Sequence, residues 1–294
     1  MENTRKFPLI LNSFWIKIIA LLTMTIDHIG FLLPDGPLSL TFRIIGRIAF
    51  PLFAFMIAEG AIHTRSFSKY ALRLGIMASA ISLALIINEI IGIDPTLRAD
   101  GNIFIDLLLG ALAIYLLRQD KWYLKALAIL PILFGVYSFI GTSLEWCGCH
   151  GKILWCPFFI RTQYGWFGIL LIVLFYLAHY VTKLFIKYHS SISGIAVENY
   201  KNSNFERNLL NIFSVIMLVI ASSLFYLLGR IMPSQYVSWM LNVQFLSIIA
   251  GAFILLYNGL RGYNKKWFQY GCYLYYPIHL LLIYGIYSII AMLI

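Results

Sequence analysis

Residues 15–33 read WIKIIALLTMTIDHIGFLL. A helix needs roughly 20 mostly apolar residues to cross about 30 Å of hydrocarbon, and this stretch has that length. It also carries Lys17, Asp27 and His28 and ends in no small-residue cleavage site, so it reads as a membrane span and not as a removable signal peptide. Similar apolar blocks follow near 41–62, 70–91, 103–117, 123–140, 164–186, 208–229, 237–257 and 268–292. The composition agrees: 61% of residues are hydrophobic and 12% charged, against about 25% charged in soluble domains. The pattern predicts an all-α fold, a polytopic integral membrane helical bundle of about nine transmembrane helices. Blocks 103–117 and 123–140 are short or interrupted, so the count ranges from eight to ten.

The net charge of +10 invites a nucleic-acid reading, but its distribution argues against one. Cytoplasmic loops of membrane proteins collect Lys and Arg. With the N-terminus in the cytoplasm, the inner segments take Arg5, Lys6, Arg65, Lys69, Arg73 and the other loop cations, and the outer segments only Arg98, Lys152, Arg161 and Arg230. Lys17, Arg43 and Arg47 fall within helices. The basic excess is therefore mostly a topology signal, and no nucleic-acid partner is expected. The longest polar stretch, KYHSSISGIAVENYKNSNFER at 187–207, reads as a cytoplasmic loop dividing six helices from three. No soluble domain and no internal repeat are visible, so residues 1–294 read as a single transmembrane domain. Cys147, Cys149 and Cys156 share one outer loop, where a Cys156 disulfide to Cys147 or Cys149 can persist. Metal binding by Cys147-Gly-Cys149-His150 and free thiols remain open there.

Charge inside a bilayer costs at least a few kcal/mol, so an intramembrane ionisable residue is a functional candidate by default. Lys17 and His28 lie eleven positions apart, nearly three helical turns, which puts them on one side and roughly 16 Å apart. Lys17 could instead reach the inner headgroups. Arg43 and Arg47, four apart, share a face of the second helix at a depth comparable with His28. Their acceptors could be Asp27, Asp106 or a bound anion. Pro51 frees the carbonyl of Arg47 and kinks that helix. Glu59, near its inner end, could pair with a loop cation or with Lys17. Asn102 and Asp106 open the fourth helix on one face, and the last helix carries His279 near mid-membrane, where a packing hydrogen bond is the plainer reading. His63, His150 and His189 read as exposed loop histidines.

At this point the sequence resembles the TraX family of bacterial membrane proteins. The resemblance rests on KIIALLTMTIDHIG (17–30), RIIGRIAFPLFAFMIAEG (43–60), TRSFSKYALRL (64–74), NIFIDLLLGALAIYLL (102–117), YGWFGILLIVLFYL (164–177), LLYNGLRG (255–262) and YYPIHLLLIYGI (275–286). The best-known member of that family is associated with N-acetylation of conjugative pilin. The family is also similar to wider groups of transmembrane acyltransferases, including the acyltransferase-3 type, whose first helix carries a basic residue, ten intervening residues and a histidine. Lys17 and His28 have that spacing, and the resemblance implies a catalytic His28. It further implies transfer of acetyl from cytoplasmic acetyl-CoA to an acceptor across a bacterial cytoplasmic membrane.

The residues supply what such a reaction needs. His28 can be the base. Asp27 either orients it or pairs with Arg43 or Arg47. Arg47 or Lys17 can stabilise the oxyanion or bind the carrier. An acetyl-histidine intermediate is the alternative to direct transfer. Arg43, Arg65, Lys69, Arg73, Arg261, Lys265 and Lys266 are candidates for the CoA phosphates, and no metal is expected. There is no Gly-rich phosphate loop for nucleotide hydrolysis. Partners are then the lipid bilayer, acyl-CoA and a pilin or a surface or lipid-linked glycan. The outer loop 141–163, with Glu145, Trp146, His150, Trp155 and Arg161, is the expected acceptor contact. A proton-coupled transporter or flippase using Asp27, His28 and Glu59, and an assembly factor for surface appendages without chemistry, are the competing readings.

Overall fold

A computed structural model describes residues 9–92, 101–146, 155–201, 203–231 and 242–293, and their regular structure is helical, with one isolated parallel bridge between Leu11 and Tyr257. Arg5, Lys6, Arg98, Cys147, Cys149, His150 and Lys152 lie outside the described residues. In chain order the helices are α1 Ser13–Leu32, α2 Pro37–Gly46, α3 Ala49–His63, α4 Phe67–Ile91, α5 Ile103–Leu117, α6 Trp122–Ala126, α7 Ile129–Trp146, α8 Gly165–Ser193 and α9 Asn204–Ile231. They are followed by α10 Asn242–Leu255, which contains a 3-10 turn at Leu246–Ile249, and α11 Lys266–Leu293.

Among the described residues, each apolar block of the sequence falls mainly on helix. Among them, six segments are long and apolar enough to cross a membrane: Ser13–Leu32, Pro37–His63, Phe67–Ile91, Trp122–Glu145, Phe158–Ser193 and Asn204–Arg230. The apolar helices α5 and α10 are shorter, and α11 has 28 residues, about 42 Å of helix. Leu72, Ile76, Leu83, Ile87 and Ile90 stand exposed along α4. On a soluble protein such a run would be an aggregation surface; lipid tails accept it. The fold is thus an all-α polytopic membrane protein.

Two boundaries differ from the sequence reading. The 41–62 block is two helices, broken at Arg47 and Ile48. Proline has no N–H, and its ring displaces the carbonyl four residues back; for Pro51 that carbonyl belongs to Arg47. The last amides of α2 accordingly tighten, Arg47 N–H to the Ile44 carbonyl (3.1 Å) and Ile48 N–H to that of Ile45 (3.2 Å). The polar stretch 187–207 is also not one loop. Helix α8 runs on to Ser193, where Gly194, with φ of 70°, ends it in the left-handed conformation that favours glycine. A 3-10 turn at Val197–Tyr200 precedes α9. His189 therefore sits on a helix, half-buried, with Nδ1 2.9 Å from the Tyr200 hydroxyl, and His63 is the last residue of α3; neither is a loop histidine.

The chain divides into two compact units. One comprises Met1–Phe53, Leu177–Ser223 and Asn242–Ile294. In it α1 packs on α2 and α11. The entry to α1 is pinned by backbone bonds: Leu11 N–H to the Leu256 carbonyl (2.9 Å), Asn258 N–H to that of Leu11 (2.8 Å) and Ser13 N–H to that of Leu260 (2.8 Å). Asn12 then caps the helix by accepting from the N–H groups of Phe14 (3.1 Å) and Trp15 (3.2 Å). The 257–262 turn is thus built into the start of the first helix.

The other unit comprises Ala54–Tyr176 and Leu224–Leu241. Several of its buried polar residues are committed to the fold. Asn102 caps α5 through Phe104 N–H (3.0 Å) and donates to the Ala78 carbonyl (2.7 Å) and Ser82 Oγ (3.0 Å). Asp106, wholly buried, accepts the amides of Gln163 (2.7 Å) and Tyr164 (3.1 Å). As an acceptor offered for the arginines, Asp106 is corrected: it anchors the backbone that leads into α8. For Glu145 and Arg161 the outer-loop expectation is corrected in the same way, while residues 147–154 of that loop lie outside the described residues. Glu145 and Arg161 are buried and paired at 3.1 Å, and Arg161 also donates to the Cys156 carbonyl at 3.0 and 2.9 Å. Neither can meet an acceptor molecule, because each would otherwise be an unpaired buried charge. Trp155 stays exposed, 5.0 Å from the Tyr137 ring. Cys156 is buried, and burial pushes its thiol above the ordinary cysteine range.

Candidate functional site

Asp27 and His28 interrupt the apolar run of α1 near its end, and Arg43 and Arg47 stand in the last turn and at the C-cap of α2. The two helices pack closely, and Gly46 makes the approach possible. A side-chain carbon on Gly46 would fall on the Cβ, Cγ and Oδ1 of Asp27. Gly46→Ala is therefore expected to displace the Asp27 carboxylate and destabilise the protein by about 1–3 kcal/mol, the usual range for overpacking, read as a lower midpoint in thermal unfolding.

The helix break places Arg47 beside that carboxylate. Arg47 Nη2 lies 2.7 and 2.9 Å from the Asp27 oxygens, and Arg43 Nη1 lies 3.1 Å from Oδ2. Arg47 Nε donates to the Arg43 carbonyl (3.2 Å), which the tightened turn leaves without its helical amide. Arg47 Nη1 donates to Gln244 Oε1 on α10 (3.1 Å). All three guanidinium nitrogens are thus held by protein. Arg43 also lies 5.5 Å over the Phe31 ring, a favourable place for a cation.

The histidines are the second half of the site. His28 Nδ1 is 2.9 Å from the Met24 carbonyl, and His279 Nδ1 is 2.8 Å from that of Tyr275. A carbonyl can only accept, so in each neutral ring Nδ1 carries the proton. His279 Nε2 is then a lone pair, 3.1 Å from His28 Nδ1, and shares that proton with Met24. The basic nitrogen of His28 is consequently Nε2, which makes no hydrogen bond among the described residues. Tyr275 holds the second ring in place. It stacks on His279 (centroids 5.1 Å apart, planes at 10°), and its hydroxyl meets Thr25 Oγ1 at 2.7 Å. Thr25 donates to the Leu21 carbonyl (3.0 Å), so the tyrosine is the donor of that bond.

Asp27 and His28 are neighbours on α1, and His28 meets His279 of α11, which ties the ion cluster and the histidine pair into one site. The structure brings together Asp27, His28, Arg43, Arg47 and His279. It adds Gln244, Thr25 and Tyr275, which the sequence reading did not single out. Gln244 is 2% exposed, and its Nε2 has no acceptor among the described residues; such an amide costs about 1–3 kcal/mol. Lys17 is half-buried lower on α1, about 16 Å from His28 by helical rise, within Coulombic reach of Arg261 and Cys272.

The remaining candidates sit elsewhere. Glu59 is buried, with its carboxylate 4.0 Å from His63 Nδ1. Arg65, Lys69, Arg261, Lys265 and Lys266 are exposed, and Arg73 is half-buried. Arg73 lies 5.8 Å over the Tyr70 ring and Lys265 5.9 Å over that of Tyr263. No group of three or more His, Cys, Asp or Glu side chains placed to hold a metal occurs among the described residues.

The family model described as TraX protein matches residues 13–224. The chain belongs to the TraX family. The match includes Asp27, His28, Arg43 and Arg47, whereas Gln244 and His279 of this TraX member lie beyond it. A Dichelobacter nodosus protein described as the probable fimbrial assembly protein FimC, serogroup H1, is 30% identical over 142 residues, 46% of this chain and 57% of that protein. The chain thus spans little more than half the length of that relative. No solved structure matches this TraX family member.

Proposed function

We propose that this protein is a membrane-embedded acyltransferase, moving acetyl from cytoplasmic acetyl-CoA to an amine or hydroxyl on the other side of a bacterial cytoplasmic membrane. The observation that carries the proposal is the state of His28. Its Nδ1 proton is fixed by Met24 and His279, and its Nε2 lone pair is left without a partner among the described residues. That is the arrangement a general base requires.

In the reaction, His28 Nε2 takes the proton of the acceptor's N–H or O–H as that atom attacks the thioester carbonyl. The imidazolium so formed is stabilised by Asp27, and its Nδ1–H by the His279 lone pair. Collapse of the tetrahedral adduct breaks the C–S bond, and the departing CoA thiolate receives the proton from Nε2. A two-step route through acetyl-His28 uses the same atoms. Arg43 and Arg47 hold the Asp27 carboxylate in place. The nucleotide end of acetyl-CoA is assigned to the basic positions Arg65, Lys69, Arg73, Arg261, Lys265 and Lys266 on the inner face, with the pantetheine arm passing Lys17. The N-terminus is on the cytoplasmic side in this reading, and one acyltransferase domain occupies the chain. The kinship with the acyltransferase-3 type belongs to the same proposal.

The acceptor is a pilin or a surface or lipid-linked glycan. The fimbrial assembly description of the relative favours an appendage protein, and equally a second reading in which this protein assists assembly without chemistry. Mass spectrometry of surface proteins and glycans separates the two. A strain lacking the protein should lose an acetyl group from one surface component, and the wild-type gene should restore it. Assembly defects with unchanged acetylation would favour the second reading.

A further inference from the structure

The buried amide of Gln244 is the part of the site that the mechanism above leaves unused. Arginine only donates hydrogen bonds, so the Gln244 atom that meets Arg47 Nη1 at 3.1 Å is Oε1, and the orientation of the amide is fixed by chemistry. The NH₂ group then faces away from the guanidinium, at a residue 2% exposed, with no acceptor among the described residues. Arg47 holds Gln244 through Nη1 and Asp27 through Nη2. One guanidinium therefore sets the amide relative to the carboxylate that precedes the catalytic histidine. Since Arg47's nitrogens are all engaged by protein, its role is to position neighbours, and the unmet donor belongs to the glutamine.

We propose that Gln244 binds the acyl carbonyl: its Nε2–H donates to the thioester oxygen and to the oxyanion which that oxygen becomes. This rests on the acyltransferase reading and assigns the oxyanion donor within it. On attack, the C=O π electrons move to the oxygen held by Nε2–H. On collapse they re-form the carbonyl as the C–S bond breaks. A donor held in place before the charge develops acts mainly on the transition state.

Gln244→Glu keeps an oxygen for Arg47 and removes the N–H; Gln244→Met removes both. Both variants should lower kcat about 10²–10³-fold, with KM for acetyl-CoA little changed. Full turnover in Gln244→Glu alongside loss in Gln244→Met would assign the residue to holding Arg47 only and overturn the proposal. A readout independent of turnover is the ketone stretch of bound S-acetonyl-CoA, an unreactive acetyl-CoA analogue ¹³C-labelled at the carbonyl. The stretch should move to lower frequency in the wild-type protein and return towards its free value in both variants. An analogue that binds with an unshifted carbonyl sinks the Gln244 assignment alone. An analogue that does not bind the wild-type protein sinks the acyl-CoA reading and this assignment with it.

Discussion

A His28→Ala variant should bind acetyl-CoA as the wild-type protein does and transfer its acetyl group about 10²–10⁴-fold more slowly, the usual contribution of a general base. The protein should stay folded. His28 is only partly buried, and its ring makes two hydrogen bonds through one nitrogen, to Met24 and His279. Removing the ring leaves the Met24 carbonyl with its helical amide and His279 still bonded to Tyr275. Rates of CoA release from acetyl-CoA by purified protein, with unfolding midpoints measured in the same detergent, check both halves. A folded His28→Ala protein with wild-type turnover would remove the catalytic assignment.

Asp27→Ala is expected to act first on stability. It strands two guanidiniums whose side chains are 9% and 21% exposed around a carboxylate at 13%. Removing one partner of a buried ion pair costs about 3–5 kcal/mol, whereas replacing all partners by apolar side chains is near neutral. Asp27→Ala should therefore unfold at markedly lower temperature than the wild-type protein. The triple replacement Asp27→Leu, Arg43→Leu, Arg47→Met should regain most of the loss and remain inactive. Recovery of stability without activity separates the structural role of the cluster from its service to His28. An Asp27→Ala protein that melts like the wild type would show that the arginines have other acceptors of equal strength.

The parts of this site that were legible in the sequence are those set by short-range geometry. The spacing of Lys17 and His28 follows from helical rise, and the break at Arg47 follows from Pro51. What Asp27 does was left open between His28 and the arginines, because that choice depends on how closely α1 and α2 pack, and Gly46 decides it. The partner of His28 lies 251 positions away on α11. His279 itself stood out as an intramembrane histidine, but nothing local could pair the two rings. Gln244 gave less signal still. One amide in a short apolar helix is unremarkable until Arg47 fixes its oxygen and leaves its nitrogen buried.

The errors have a common cause. Glu145 and Arg161 stand in the longest outer segment and so read as acceptor contacts, yet tertiary packing buries both charges against each other. Asp106 looked like a counterion on an apolar helix and is an anchor for the amides of Gln163 and Tyr164. In both cases the competing partner is backbone or side chain brought in by tertiary packing, which residue type and spacing do not encode. The extension of α8 through KYHSSIS is similar: those polar residues do not stop a helix, and the left-handed Gly194 does.

The most direct test of the account uses wild-type protein and the His28→Ala variant in proteoliposomes with radiolabelled acetyl-CoA at the cytoplasmic face and the acetyl-deficient surface component at the other. Label should cross to the acceptor with the wild-type protein and stay on CoA with His28→Ala, while both proteins bind acetyl-CoA equally. Equal label transfer by the two proteins, or no acetyl-CoA binding by either, would contradict it.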